Sequence, residues 1–240
     1  MTEELFRSDA YLRECAAVVT SVNENRVQLD KTVFYPEGGG QPGDTGWMIH
    51  ASGSEAQIVD TQYYSSEGVI HLIGEVGSLP TIGEEVQLRI DWDRRYRLMR
   101  MHSCMHMLCS VVPASVTGGS IRDGQGRLDF DLPETINKTD LSERLNEVIR
   151  LNRAMTLEWI TEESLAAQPE LVRTMSVKPP AGTGTIRLVN FSGIDLQPCG
   201  GTHVAATGEI GRVRIKKIEK KGRQNRRVIV VFDDDGDLSS

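Results

Sequence analysis

Features that would place the chain in a membrane or outside the cell are missing from this sequence. No apolar run approaches the ~20 residues needed to span a bilayer, and the first residues, MTEELFRSDAYLRE, lack the basic and apolar regions of a secretory signal. The four cysteines show no spacing typical of a disulfide framework. We therefore expect a cytoplasmic protein without membrane association, in which a reducing environment leaves the thiols free.

An excess of positive charge is also absent. The 27 Lys and Arg residues are outnumbered by 34 Asp and Glu residues, which gives a formal net charge of −7. Such a balance argues against a nucleic-acid partner, but the distribution of charge is more informative than its sum. From Arg212 to Arg227, nine basic residues stand against one acid, Glu219. Exposed Lys and Arg often only solubilise a surface, so this basic ribbon and a second group (Arg94, Arg95, Arg97 and Arg100) are either nucleic-acid contacts or solvated faces.

The glycine-rich stretch FYPEGGGQPGDTG, residues 34–46, is not a phosphate-binding loop. It lacks the Gly-Lys-Ser/Thr ending of such a loop, and no helical pattern follows it. Gly38, Gly39 and Gly40 allow positive φ angles and a close approach by backbone or ligand. Taken alone, the stretch favours a wide hairpin between strands over a loop that contacts a ligand.

Short β-branched segments separated by turns dominate residues 1–90. A run of short strands without an intervening helix predicts a small β-barrel. His50 and His71 lie within these strands, and we interpret both as surface or packing residues rather than ligands. The expected strands are Cys15–Thr20, Arg26–Phe34, Trp47–His50, Gln57–Gln62, Val69–Ile73 and Glu85–Ile90.

The pattern changes at Asp91, after which helices and strands alternate. Asp91 or Asp93 can cap a helix through RRYRLMRMHSCMHMLCSVV that ends before Pro113. A helix over residues 141–155, capped by Thr139 or Asp140, and a short helix after Thr161 follow. Lys178–Gly184 is expected to be a loop. The expected later strands are Thr185–Asn190, Ile210–Ile218 and Arg226–Phe232, the last two joined by a basic turn.

Two pairs of residues form a candidate metal site. His102 and His106 are one helical turn apart and project from the same face, whereas Cys199 and His203 have the same separation around two glycines, which indicate a turn. Three imidazoles and one thiolate suit tetrahedral zinc. A lone HxxxH pattern often arises by chance, but two pairs are hard to dismiss in a chain with five His and four Cys. We therefore predict one zinc ion per chain. Cys104 points away from the shared face and is not counted.

Three motifs taken together resemble those of a known family. HxxxH at His102, QPCGGTHV from Gln197 to Val204, and the glycine-rich stretch are similar to the motifs of alanyl-tRNA editing proteins, the AlaX family, which are free-standing relatives of the editing domain of alanyl-tRNA synthetase. The similarity extends from about Val22 to Phe232 and is to the medium-length type. It implies an α+β protein: a translation-factor-like β-barrel domain with the glycine motif (1–90), a zinc-binding tRNA editing domain with an antiparallel sheet packed against helices (91–232), and a polar tail (233–240).

The same resemblance implies a function and further site residues. The function is that of a trans-editing hydrolase, a zinc-dependent aminoacyl-tRNA deacylase that removes serine first, and glycine second, from the acceptor end of tRNA(Ala). Gly39, Gly40 and Gln41 would help to shape the amino-acid pocket. In the strand-turn-strand from Thr117 to Asp131, Thr117 and Ser120 would bind a serine hydroxyl, although Thr and Ser are also ordinary turn residues. Contact with tRNA would fall to the Arg94–Arg100 face and to Arg214, Lys216, Lys217, Lys220 and Lys221.

The number of ligands leaves the role of the metal open. Four protein ligands close a tetrahedral site, as in structural zinc, whereas catalytic zinc usually keeps an open position. Either the coordination expands, or Cys199 is displaced or remote, or zinc holds the substrate while another group activates water. No general base is assigned. The alternatives to the deacylase are a zinc-stabilised tRNA-binding module without hydrolytic activity and a metal-dependent hydrolase of free amino-acid esters or amides.

Overall fold

Alternating apolar and polar side chains close the first part of the chain into a barrel. The computed structural model describes residues 2–75, 77–172 and 185–233, and the chain divides into two units between Arg97 and Leu98. In the first unit the barrel order is β2-β3-β7-β6-β5-β8, and β1 pairs in parallel with β4. The strands are β1 (Glu3–Glu4), β2 (Glu14–Asn23), β3 (Arg26–Leu29), β4 (Lys31–Thr32), β5 (Gly46–His50), β6 (Glu55–Tyr64), β7 (Gly68–Ile73) and β8 (Glu85–Ile90).

The barrel prediction is confirmed, and its interior is built from the inward residues of these strands. Several strands alternate buried and more exposed positions, as in β8, where Val86, Leu88 and Ile90 are buried. Aliphatic and aromatic side chains from most of the strands meet in one apolar cluster. Burial of this apolar surface is the main stabilising contribution to the unit.

The glycine-rich stretch is not a wide hairpin, so the prediction made from its composition is wrong. β3 and β5, the barrel strands on either side of it, are not neighbours in the barrel. The stretch is instead held by Asp44. Its carboxylate accepts a hydrogen bond from the backbone N–H of Tyr35 (2.7 Å) and forms an ion pair with Arg95. Arg95 also donates to the backbone oxygen of Val33 (2.7 Å). The turn-forming residues of the stretch suggested a hairpin. The path of its backbone is instead set by a buried ion pair between two residues that are distant in sequence, Asp44 and Arg95.

His50 and His71 are both packing residues, and neither is on the surface. Nδ1 of His50 lies 2.6 Å from a carboxylate oxygen of Glu84. His71 is fully buried, with Nε2 2.8 Å from Oγ1 of Thr32 and Nδ1 3.2 Å from the backbone oxygen of Val27. Burial lowers the pKa of His71 to about 4. The histidine is therefore neutral at pH 7.

Most of the first helix and all later elements belong to the second unit. Two antiparallel sheets form there, in the orders β14-β15-β10-β9 and β11-β12-β13. The α+β prediction is confirmed. The elements are α1 (Trp92–Val111), β9 (Val116–Arg122), β10 (Gln125–Asp131), α2 (Lys138–Arg150), β11 (Met155–Thr161), α3 (Glu162–Ala166), β12 (Thr185–Phe191), β13 (Asp195–Pro198), β14 (Val213–Lys221) and β15 (Asn225–Phe232).

The second helix differs from its prediction at both ends. Its N-cap is Asn137, whose side chain accepts hydrogen bonds from the backbone of Thr139 and Asp140, so neither of those two residues is the cap. Asn is among the strongest capping residues, and it stands earlier in the chain. The helix ends at Arg150, because Met155 pairs with Phe191 at the start of β11.

Three further segments complete the comparison with the predictions. Thr207–Ile210 is a 3₁₀ turn, and the strand predicted from Ile210 begins at Val213, after Gly211 with a φ of 75°. The predicted loop at Lys178–Gly184 and residues 234–240 of the predicted tail lie outside the described residues. None of the described helices is both long and apolar enough to cross a membrane.

Candidate metal centre

The four predicted metal ligands come together in the second unit. His102 and His106 lie on one face of α1, with ring centroids 5.5 Å apart. Cys199 and His203 lie in the loop after β13, and the ring of His203 is 4.3 Å from that of His102 and 4.6 Å from that of His106. One potential ligand atom of each residue lies within 4.8 Å of those of the other three. The helix and the loop together therefore supply one compact donor set.

The spacing of the donor atoms suits zinc. Ligands at the usual Zn–N and Zn–S distances stand about 3.3–3.6 Å apart in a tetrahedron. The sulfur of Cys199 is 3.5 Å from Nε2 of His102 and 3.2 Å from Nε2 of His203. The alternative in which Cys199 is remote is therefore wrong. The three histidines are buried and Cys199 is partly buried, which limits competition from bulk water.

The electrostatics of the cluster favour a thiolate. Burial would raise the pKa of Cys199, but His102 and His203 beside it hold that pKa well below its ordinary value. Burial and His102 hold the pKa of His203 well below its ordinary value as well. Burial would also lower the pKa of His106, but its hydrogen bond to Asp195 and the neighbouring Cys199 raise it to about 9. Metal binding would therefore remove a proton from His106.

The cluster is supported by residues that the sequence analysis missed. His106 donates from Nδ1 to Oδ2 of Asp195 (2.7 Å), and Gln197 donates to the same oxygen (2.8 Å). On the other side, Oγ of Ser103 lies 3.3 Å from Nδ1 of His203. These contacts turn Nε2 of both rings toward the cluster. The signal was present, because Asp195 and Gln197 alternate along β13 and so share a face, and Cys199 follows two residues later.

An arginine secures the loop that carries Cys199. Arg187 of β12 is buried and donates to the backbone oxygens of Cys199 (2.9 Å) and Gly201. The backbone N–H of Cys199 in turn donates to the backbone oxygen of Arg187 (3.1 Å). Phe191, on the same face of β12, places its ring 5.8 Å from that of His106. The face of the three-stranded sheet that carries Arg187 and Phe191 is therefore the floor of the cluster.

Thr117 and Ser120, the predicted contacts for a serine hydroxyl, are not part of the cluster. Thr117 lies at a bulge in β9, where its hydroxyl is within hydrogen-bond distance of the backbone oxygen of Asp129 (3.1 Å) and of Oδ1 of Asn225 (3.2 Å). Ser120 pairs with Arg127. Gly126, which precedes Arg127 in β10, faces α1, since a Cβ there would lie 2.7 Å from the sulfur of Met105. Ser120 therefore projects from the other face of the sheet.

The predicted pocket residues of the glycine motif lie in the first unit. Gly39 and Gly40 adopt φ angles of 57° and 83°, in the left-handed region that glycine favours. Gln41 is fully buried, and its backbone exchanges two hydrogen bonds with Gly38. The motif is thus a tight turn that encloses a glutamine side chain.

The basic ribbon is the β14–β15 hairpin, and much of its charge is already paired. Lys217 and Lys221 share Glu219, at 2.7 and 3.0 Å. Arg227 makes two hydrogen bonds of 2.8 Å to Asp129, an acid from outside the ribbon. Two arginines share Asp233, and Arg226 is buried against backbone oxygens. Within the ribbon, whose residues are all described, the exposed cations without an ion pair are Lys216, Lys220 and Arg223.

Members of the second basic group make hydrogen bonds within the fold, and the nucleic-acid prediction is wrong for Arg95, which has no exposed surface. Arg94 donates to the backbone oxygen of Gly43 (2.8 Å), and Arg95 is fully buried. Arg100 donates to the backbone oxygen of Ile210 (2.9 Å) and lies over the ring of Phe232. An arginine side chain can donate to several buried acceptors at once. A basic residue in the sequence, such as Arg95, therefore need not place its charge on the surface.

Two family profiles match parts of the chain. The profile described as tRNA synthetases class II (A) matches residues 8–94. The profile described as the threonyl and alanyl tRNA synthetase second additional domain matches residues 186–229, which include Cys199 and His203.

Full-length relatives are similar along almost the whole sequence. An alanyl-tRNA editing protein AlaX-M from Saccharolobus solfataricus is 35% identical over 232 residues, covering 95% of this chain and 98% of the relative. An AlaX-M protein from Methanosarcina mazei is 35% identical over 241 residues, with 95% of each chain covered. An alanine–tRNA ligase from Saccharolobus islandicus is 33% identical over 229 residues, but only 25% of its length is matched.

Proposed function

Because the chain belongs to the AlaX-M family of alanyl-tRNA editing proteins, we propose that it is a zinc-dependent deacylase that hydrolyses Ser-tRNA(Ala) and, second, Gly-tRNA(Ala). The observation that carries this proposal is the donor set of His102, His106, Cys199 and His203, whose spacing and chemistry suit zinc. When bound, zinc supplies Lewis-acid chemistry, which polarises an ester carbonyl and activates water.

The side chains around the cluster would hold and shield the reacting ester. Asp195 and Ser103 keep the rings of His106 and His203 turned inward, so the donor atoms are preorganised. Phe191 and the buried histidines exclude bulk water, which strengthens electrostatic contacts to the ester. Cys199 is the least buried of the four ligands. We therefore assign it as the ligand nearest the entry of substrate.

Preference for serine over alanine has a physical basis. A synthetase pocket that fits alanine rejects an added hydroxyl only weakly, whereas a site built to hydrogen-bond that hydroxyl discriminates strongly against its absence. Thr117 remains our candidate, because its hydroxyl can accept a hydrogen bond while it donates to a protein oxygen. We also propose that Lys216 and Lys220 contact tRNA phosphates, since they are exposed cations.

Deacylation of Ser-, Gly- and Ala-tRNA(Ala) by the purified protein tests the proposal, with metal content measured on the same sample. We expect loss of serine, slower loss of glycine and retention of alanine, with activity abolished by chelation and restored by zinc. His102→Ala should remove activity, and Cys104→Ala is the matched control because Cys104 lies on the same helix outside the cluster. Hydrolysis of Ser-tRNA(Ala) at the wild-type rate by a folded, metal-free sample would contradict the zinc mechanism.

A second function is favoured by the closed set of four protein ligands, which is typical of structural zinc. In that case the protein would bind tRNA(Ala) without hydrolysing it. A zinc-loaded, folded protein that shows salt-sensitive binding of Ser-tRNA(Ala) and no release of serine would establish this alternative.

A further inference from the structure

A large aromatic side chain is left half-exposed beside the metal centre. Trp159 of β11 is 51% exposed, although the described parts of both sheets bury most of their large apolar side chains. β11 is the edge strand of its sheet and pairs only with β12 among the described strands. An exposed indole on an edge strand is a liability for association unless it serves a binding function.

The strand register places Trp159 on the face that carries the cluster. Trp159 pairs with Arg187, and directly opposite residues of antiparallel strands share a face. Arg187 lies two residues from Val189, which pairs with Gln197, and Gln197 contacts the carboxylate that holds His106. Trp159 and Arg187 therefore lie side by side on the face of β11 and β12 that carries the cluster, and Cys199, directly after β13, donates its backbone N–H to the backbone oxygen of Arg187.

The separation suits a nucleoside. Two strand spacings, about 10 Å, separate the backbone of Trp159 from that of Cys199. The aminoacyl ester of a charged tRNA is attached to the ribose of the terminal adenosine, so the adenine base lies one sugar ring away from the reacting carbonyl. An ester at the cluster thus places the base within about that distance of the cluster. Trp159 offers a flat apolar surface there, and every base has a face that stacks on an aromatic ring.

We propose that Trp159 is the stacking platform for the adenine of the 3′-terminal nucleoside. The inference rests on the proposed function, because it assigns a subsite of the same centre. Arg187 contributes indirectly: it is held by the backbone oxygens of Cys199 and Gly201, so the distance between the platform and the ligand loop is fixed.

Calorimetric titration with 3′-deoxy-3′-(L-serylamino)adenosine, a non-hydrolysable mimic of the acceptor end, tests the inference on the zinc-loaded protein. Trp159→Ala should weaken binding by about 5- to 150-fold, the factor that corresponds to one base–aromatic stack. Trp159→Phe should recover most of the affinity. Leu151→Ala is the control, since Leu151 is 54% exposed in the same unit. A mimic that carries hydrogen in place of adenine should bind wild-type protein more weakly, with no further loss in Trp159→Ala.

The outcomes separate this inference from the proposed function. Equal affinity of wild-type and Trp159→Ala proteins for the adenosine mimic, in a wild-type protein that deacylates Ser-tRNA(Ala), overturns the stacking role alone. Binding that depends on Trp159 without any hydrolysis supports the platform and removes the hydrolase. Failure of the wild-type protein to bind the mimic overturns the platform, and absence of deacylation in the same sample overturns the hydrolase as well.

Discussion

At the scale of single residues, the ring of His106 depends on one acid. Asp195 is buried, and its Oδ2 accepts hydrogen bonds from both His106 and Gln197. A carboxylate in this position fixes which ring nitrogen faces the metal and raises the basicity of the ligand.

Asp195→Ala should therefore weaken zinc binding by about 10- to 100-fold. Competition with a chromophoric chelator measures the affinity directly, without reference to activity. Asp195→Asn should keep more of the affinity, because its amide oxygen can still accept from Nδ1 of His106. Asp131→Ala, a change at an exposed acid of the same unit, is the control. Equal zinc affinity in Asp195→Ala and wild-type protein would show that the ring is held by other contacts.

His71 makes the stability of the first unit sensitive to acid. Its pKa is lowered by burial to about 4 in the folded protein, against an ordinary value of 6.5. The unfolded chain therefore takes up a proton at higher pH than the folded one, and stability falls as the pH drops from 6.5 to 4. The full effect is about 3 kcal/mol, and it is absent above pH 6.5.

His71→Gln should flatten this part of the profile. Denaturant unfolding at several pH values, expressed as the difference between wild type and variant, isolates the contribution of His71 from other groups. A difference that does not change between pH 7 and 4 would mean that the imidazole charges without cost in the folded state.

At the scale of elements, two glycines of the glycine-rich stretch differ in the space available for an added side chain. A Cβ at Gly43 would lie 2.0 Å from the backbone oxygen of Thr61, whereas the nearest atom to a Cβ at Gly38 is the hydroxyl of Tyr35 at 3.4 Å. Backbone of a barrel strand cannot move aside as a side chain can.

Gly43→Ala should therefore destabilise the protein by about 1–3 kcal/mol, the usual cost of overpacking. Gly38→Ala, its matched control in the same motif, should stay within about 0.5 kcal/mol of wild type. Chemical denaturation measures both, and equal stability of the two variants would indicate that the turn relaxes around the added methyl group.

The basic hairpin predicts unequal effects of its lysines. Lys217 and Lys221 share Glu219, whereas Lys216 and Lys220 are exposed and have no ion pair in the described part of the chain. Free ammonium groups are the ones that displace counterions from phosphate.

Lys216→Ala with Lys220→Ala should weaken tRNA binding and reduce the slope of log affinity against log salt by about two. Lys217→Ala with Lys221→Ala should leave the slope nearly unchanged. Filter binding across a salt series measures both pairs. The same slope for both double variants would show that total charge matters and individual contacts do not.

The spacing of apolar residues predicted helices and strands correctly where the apolar positions are also the buried ones. The barrel strands and α1 were predicted from alternation and helical spacing. β11 was not, although Met155–Trp159 alternate apolar and polar residues, because the helical spacing was followed as far as Met155. The cap at Asn137 was missed because Thr139 and Asp140 have similar capping chemistry, and only the backbone geometry distinguishes them.

At the scale of the whole molecule, the candidate metal site joins two parts of the second unit that are distant in sequence. Zinc that binds only the folded form stabilises it by about 2.7 kcal/mol when free zinc is 100 times its dissociation constant. Chelation should lower the thermal midpoint, and added zinc should restore it. Calorimetry of His102→Ala provides the control, since the variant should be insensitive to zinc. A wild-type midpoint that is unchanged by chelation would show that the site does not contribute to stability.

The grouping of the four candidate ligands was predictable from sequence, and the residues that support them were not. Pairs such as His102 and His106 carry a spacing that points to one ion. Asp195, Ser103 and Trp159 carry no such mark, because their roles come from strand register and from side chains distant in the sequence. Arg95 shows the converse, since its charge suggested a nucleic-acid surface but its side chain is fully buried.

The distance along the chain between the two ligand pairs also sets a timetable. His102 and Cys199 are 97 residues apart. At a synthesis rate of about 5–20 residues per second, the ribosome needs about 5–20 s to add the second pair after the first. During that interval only two of the four donors of the site exist, and both are on the helix. A metal ion that needs all four donors can therefore bind only late in translation, as the second unit acquires its last strands.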